Sequence, residues 1–98
     1  MILVREVFQV KYGKMKEAKA LMKEMVGMMP APAGGGPTRL LTDLVGQYYT
    51  LIMENTHKDL AAFETSMSAE MSNPAFGALY QKFVPLIDSG RREIFTIV

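Results

Sequence analysis

The stretch from Gln47 to Glu54, QYYTLIME, is apolar on both sides of the strand it should form. Successive side chains of a strand point to opposite sides. Tyr49, Leu51 and Met53 therefore share one side, and Tyr48, Thr50 and Ile52 the other. A strand of this kind cannot lie open to water. Helices of the same chain can cover one side, and in a chain of 98 residues the simplest cover for the second is another copy of the chain. The pattern predicts a homodimer that joins two sheet faces through an isologous two-fold interface.

That length makes one domain, spanning 1–98, with a modest core. Hydrophobic residues are 49% of the chain, at the upper end for a globular protein and in keeping with a large interface. The formal net charge is +1 and charged residues are 21%, which leaves no electrostatic footprint for nucleic acid. There is no cysteine, so disulfides, thiolate nucleophiles and soft metal sites are excluded. One histidine and no carboxylate cluster at ligand spacing argue against any metal. The opening MILVREVFQV carries Arg5 and Glu6 and does not read as a signal peptide. No run approaches a membrane span. A cytoplasmic protein with no membrane partner is expected.

Ile2 to Val10 is rich in β-branched and aromatic residues and reads as a strand, with Glu6 interrupting the face of Ile2, Val4, Phe8 and Val10. Gly13 ends it. From about Lys14 to Met28, Met15, Ala18, Met22, Met25 and Met29 recur at helical spacing, opposite a charged side. Pro30 to Pro37, PAPAGGGP, suits neither helix nor strand and is expected to be a mobile surface loop, long enough to act as a lid. It lacks the lysine and hydroxyl residue of a phosphate loop. Thr38 to Leu44 should pair with Gln47 to Glu54 as a hairpin turning through Val45-Gly46-Gln47. Thr56 and Asp59 resemble a capping box, and Leu60, Phe63, Met67 and Met71 form the stripe of the helix that follows. Asn73-Pro74 starts a further helix, with Phe76, Leu79, Tyr80, Phe83 and Ile87 on one side and a kink expected at Pro85. Ser89-Gly90 stops it, and Arg91 to Val98 is the last strand. The order predicts an α+β domain of the ferredoxin-like split βαβ type: a four-stranded antiparallel sheet with helices on one face. The other face, with Val7, Leu41, Tyr48, Ile52 and Phe95 among its candidates, is too apolar for water.

Three segments carry a family resemblance: VKYGK ending the first strand, LIMEN running into HKDLAAFETSM, and the terminal NPAFGALYQKFVPLIDSGRREIFTIV. Over nearly its whole length the chain resembles the dimeric α+β barrel superfamily, which includes antibiotic-biosynthesis monooxygenase-like proteins. It is most similar to small bacterial NIPSNAP-like proteins. The resemblance implies two sheets closing into a barrel across a two-fold axis, with a ligand cavity between sheet and helices. The superfamily spans cofactor-free quinol and polyketide monooxygenases, haem-degrading oxygenases, muconolactone isomerases and proteins without known activity, so fold does not fix function. Its haem-degrading members use a tryptophan with an asparagine and a histidine; this chain has no tryptophan.

The catalytic inventory is short. His57, the single histidine, is a candidate general base or haem ligand at the mouth of a cavity, or an exposed residue in the first turn of a helix. Glu54 is a candidate proton acceptor, and Glu6 shares its chemistry; the structural alternative pairs a strand-end carboxylate with Arg39 or Arg92 across the sheet. Tyr48, Tyr49 and Tyr80 can orient an aromatic ligand or fill core and interface. Arg39 and Arg5 complete the candidate ligand contacts. The nine methionines are core, or a soft surface for varied apolar ligands. The first expectation is a homodimeric NIPSNAP-like module that binds a small apolar or aromatic molecule and needs no cofactor. The alternative is a cofactor-independent monooxygenase of a quinol-like or polyketide aromatic, with His57 or Glu54 as base and Tyr48 and Arg39 orienting the substrate.

Overall fold

The computed structural model describes residues 1–30 and 36–98. Most of the expected loop from Pro30 to Pro37 lies outside them. The chain runs β1 (Ile2–Val10), α1 (Met15–Met28), β2 (Arg39–Thr42), β3 (Thr50–His57), α2 (Leu60–Met71), α3 (Pro74–Phe83), one 3-10 turn (Val84–Leu86) and β4 (Ile87–Thr96). The four strands form one antiparallel sheet in the order β2-β3-β1-β4. This is the split βαβ arrangement that the sequence order predicts.

The register assigns the faces. Phe8 stands opposite Leu51, Glu6 opposite Met53 and Val4 opposite Asn55. With Val10 and Leu40 they look toward the helices. The core there joins Val10 and Leu51 to Ala18, Met22 and Met25 of α1 and to Phe76, Phe83 and Leu86. Phe8 meets Phe83 edge-on, with ring centroids 5.1 Å apart. Gly13 makes the turn from β1 into α1 at φ +80°, a conformation that L side chains rarely adopt.

Several boundaries differ from expectation, and side chains acting on the backbone or on a neighbouring strand account for them. The β2–β3 connection is longer than a tight hairpin: the Asp43 carboxylate accepts from Thr50 N at 2.7 Å, and the Thr50 hydroxyl donates to Gln47 O at 2.7 Å. These bonds hold Leu44 to Tyr49 as a loop. Tyr48 is therefore 67% exposed and lies outside the sheet. The two-sided apolarity of β3 rests on Leu51, Ile52 and Met53.

At its other end β3 continues to His57, whose place in the alternation is two residues beyond Asn55. The cap of α2 is Asp59, accepting from Ala62 N at 2.9 Å. Thr56 stays in the strand, its hydroxyl accepting from Gly36 N at 3.0 Å. The expected α2 stripe is not a core stripe: no residue of that helix is buried, and Leu60 and Met71 are more than half exposed.

Pro85 ends α3 in the 3-10 turn where a kink was expected, and β4 starts early, at Ile87. Ser89 and Gly90 consequently pair with Gln9 and Phe8 inside the sheet. A Cβ at Gly90 would sit 3.1 Å from the Phe8 ring, so the absent side chain is what admits that ring. The Asn73-Pro74 start is as expected, with the Asn73 side chain accepting from Ala75 N at 3.0 Å.

Leu51 has no exposed surface. Leu51→Ala is expected to destabilise the fold by about 3 kcal/mol, read as a fall in Tm of more than about 10 °C in thermal unfolding.

Candidate functional site

The sheet has two differently built sides, and each is a candidate. On the open side one row crosses all four strands: Arg39 opposite Glu54, Glu54 opposite Arg5, Arg5 opposite Glu93. Antiparallel pairing brings these side chains within contact range. Arg39 Nη2 lies 2.6 Å from Glu54 Oε1 and Arg5 Nε 2.9 Å from Glu54 Oε2. Arg5 Nη1 reaches Glu93 at 3.4 Å, and Arg91 adds a contact to the same carboxylate at 3.0 Å. The ladder alternates sign along its length. Flanking it are two less polar rows, Leu41–Ile52–Val7 and Leu3–Phe95. Val7 is buried, while Leu41 and Phe95 are exposed.

On the helix side the three helices and the sheet enclose a cavity of about 80 Å3. Its floor is Glu6, Phe8 and Met53. Met22, Met25 and Met29 of α1 and its end form one wall; Glu70 and Met71 close α2's end; Phe76, Tyr80 and Phe83 of α3 complete it. The helical spacing of the α1 methionines brings all three to one side. Phe8, Tyr80 and Phe83 also wall an adjoining groove of about 220 Å3 whose charged lining residue is Asp88.

Glu6 is ion-paired with Arg92, its cross-strand neighbour. The Arg92 guanidinium lies 5.1 Å from the centre of the Phe63 ring. Glu70 differs. Among the described residues its side chain has no hydrogen bond or ion pair, and burial together with the charge of Glu6 holds its carboxyl above the usual range.

The expected site residues do not converge. Arg5, Arg39 and Glu54 stand together on the open side, in the ion-paired arrangement weighed as the structural alternative. Tyr80 alone of the six walls the cavity. Tyr48 stacks obliquely on Tyr49 in the β2–β3 loop, with centroids 5.8 Å apart, and Tyr49 meets Tyr12 at 5.1 Å. His57, expected in the first turn of a helix as either a base or haem ligand at a cavity mouth or an exposed residue, is the last residue of β3 and only 4% exposed. Its Nε2 lies 3.0 Å from Asn55 Oδ1 and its ring packs edgewise on Phe63. Burial lowers its pKa, so the fold holds the neutral ring at neutral pH. It is not among the residues that wall the cavity.

Glu70 is the residue that sequence reading missed. It sits three residues beyond Met67 on the α2 pattern, and only the end of α2 meeting the sheet brings it near Glu6. No group of three or more His, Cys, Asp or Glu able to hold a metal occurs among the described residues. No helix among them is long and apolar enough to cross a membrane.

No family model matches the sequence, and no curated protein matches it. Solved structures do match over the whole fold. An uncharacterised NIPSNAP domain protein from Burkholderia xenovorans superposes with TM-score 0.81 at 12% identity, covering 100% of this chain and 95% of that one. A NIPSNAP family protein from Agrobacterium tumefaciens gives 0.85 at 14% identity, covering 99% and 85%. A variant of SnoaB, a cofactor-independent oxygenase from Streptomyces nogalater, gives 0.73 at 14% identity, covering 98% and 91%. At such identities the likeness is one of fold, and the fold is the one these NIPSNAP and oxygenase structures share.

A carboxyl whose pKa is raised in the folded state costs stability when ionised, and that cost disappears as pH falls through the raised value. Glu70→Gln removes the charge at little change in helix propensity. It is expected to raise Tm at pH 7 and to match the parent chain at pH 4, measured by calorimetry across that range.

Proposed function

We propose that this chain is a homodimeric, NIPSNAP-like binding module that takes a small, largely apolar molecule in the cavity between its sheet and helices. The observation that carries the reading is the lining of that cavity: five methionines and four aromatic rings around a small space, with few polar groups. Ligand sites are concave and mostly apolar, with polar groups in small number to set orientation. Methionine side chains repack around ligands of different shape at little cost. Tyr80, the one lining residue with a hydroxyl among those of the cavity, walls both this space and the outer groove.

The open side supports the second half of the reading. Its apolar rows are left uncovered by the helices, and Leu41 and Phe95 remain exposed in the single protomer. Pairing two such faces about a two-fold axis removes both from water and forms a stable interface once about 1,200 Å2 is buried in total. Arg5, Arg39 and Glu54 then set register in that interface and have no contact with the cavity ligand.

A cofactor-independent oxygenation of a quinol-like or polyketide aromatic is the second reading. It is favoured by the Glu70 carboxyl, whose raised pKa suits a proton acceptor in an apolar site, and by the fold shared with an oxygenase. In this reading the chain excludes water, orients the ring beside Tyr80 and takes a phenolic proton at Glu70.

Light scattering at micromolar concentration is expected to give twice the chain mass. Ile52→Lys, which puts a charge at the centre of the open face, is expected to give a monomer with unchanged far-ultraviolet circular dichroism. A parent chain that stays monomeric contradicts the dimer. Oxygen uptake with quinol substrates separates the two readings. The oxygenase reading requires a rate above the uncatalysed one, lowered at least about tenfold by Glu70→Gln; the module reading requires none.

A further inference from the structure

The charged groups around the cavity are all of one sign. Glu6 forms part of its floor and Glu70 part of its wall. Asp88 lines the adjoining groove behind Tyr80 and Phe83. Among the described residues no lysine or arginine lines either space, although the chain as a whole carries a net charge of +1.

The two carboxylates of the cavity are not equivalent. Arg92 satisfies Glu6 and is not itself among the residues that line the cavity. Glu70 has no such partner among the described residues, and it stands close enough to Glu6 to feel its charge. A half-buried carboxylate beside a second one gains from a cation placed between them. Arg92 is held by Glu6 and the Phe63 ring and is not among the residues around that space. Phe8, Phe76, Tyr80 and Phe83 wall the same space, and aromatic rings attract a cation that reaches their faces.

We propose that the cavity recognises organic cations: molecules with a small apolar or aromatic body and a protonated amine that binds Glu70 and Glu6. This rests on the binding reading above and names the class of ligand. The apolar body spans the methionine-lined cavity of about 80 Å3 and the adjoining groove of about 220 Å3, which share Phe8, Tyr80 and Phe83, and the ammonium group donates to the Glu70 carboxylate. An anionic ligand of the same shape is repelled, and a neutral one binds through its body alone.

The test uses benzylamine, benzyl alcohol and benzoate at constant ionic strength, with the protein carrying 13C-labelled methionine methyl groups. The methyls of Met22, Met25, Met29, Met53 and Met71 report the cavity directly by NMR titration. Benzylamine is expected to shift them and to bind at least about tenfold more tightly than benzyl alcohol, the scale of one charge-assisted hydrogen bond. Benzoate is expected to be the weakest. Glu70→Gln is expected to abolish the preference for benzylamine over benzyl alcohol, and an unchanged dispersed methyl spectrum of the ligand-free variant shows that it remains folded. Benzyl alcohol or benzoate binding as tightly as benzylamine, or a preference for the amine that survives Glu70→Gln, overturns the cation assignment and leaves the apolar cavity reading standing. Failure of all three to move the cavity methyls overturns both.

Discussion

The pairing of β1 with β3 at the centre of the sheet is the contact on which everything else depends. Both strands are flanked on both edges, so each needs cover above and below, and the two sides solve this differently. Toward the helices, Val4, Val10 and Leu51 lose almost all contact with water. On the open side Val7 is equally buried without a helix over it. Its neighbours there are Ile52 and Arg91 across the strands and Arg5 along its own. The aliphatic stems of arginine cover apolar surface while their heads stay paired. The ladder from Arg39 to Glu93 thus shields the middle of an apolar face, and the periphery, Leu41 and Phe95, stays bare.

This division bears on how two protomers can meet. A uniformly apolar face would accept any angle and any register. A row of alternating charges does not, because a slip that sets like charges opposite each other costs several kcal/mol in a desolvated interface. Glu54, nearly buried and held by two arginines, already has its needs met within the protomer. Assembly through this face therefore buries carboxylates that already hold their ion pairs, the condition under which an ionic row can be buried at tolerable cost.

Most of the fold is legible in the sequence because it depends on periodicity. The alternation in β1, the methionine spacing of α1 and the Asn73-Pro74 start each have one physical reading, and each holds. The misplaced boundaries depend on side chains acting on the backbone. Asp43 ties off the loop before Thr50, and Asp59 rather than Thr56 caps α2; both are acceptor choices that several nearby residues could make on propensity alone. Gly90 reads as a stop, yet it is a strand residue whose missing side chain makes room for Phe8. That requirement comes from a residue far away in sequence. The site follows the same rule. Glu54, Arg5 and Arg39 are adjacent because register makes them so, and the alternative pairing of Glu54 with Arg39 could be read from the strands. Glu70 and Glu6 come to line one space only through the packing of α2 on the sheet, which no spacing encodes.

Glu6 and Glu70 together make a case that stability does not explain. Glu6 occupies the middle of a face otherwise built from Ile2, Val4, Phe8 and Val10, and its salt bridge to Arg92 is of the kind that an apolar pair of similar volume would match or improve on. Glu70 is worse placed: half-buried, unpartnered among the described residues, and beside a like charge. A chain shaped for folding alone would put methionine or leucine at both positions and close the space, since every other wall of it is already apolar or aromatic. The space remains open and acidic. The free energy that the fold forgoes by keeping Glu70 ionised is recovered when a cation reaches it, so the same residue that weakens the empty protein strengthens the loaded one.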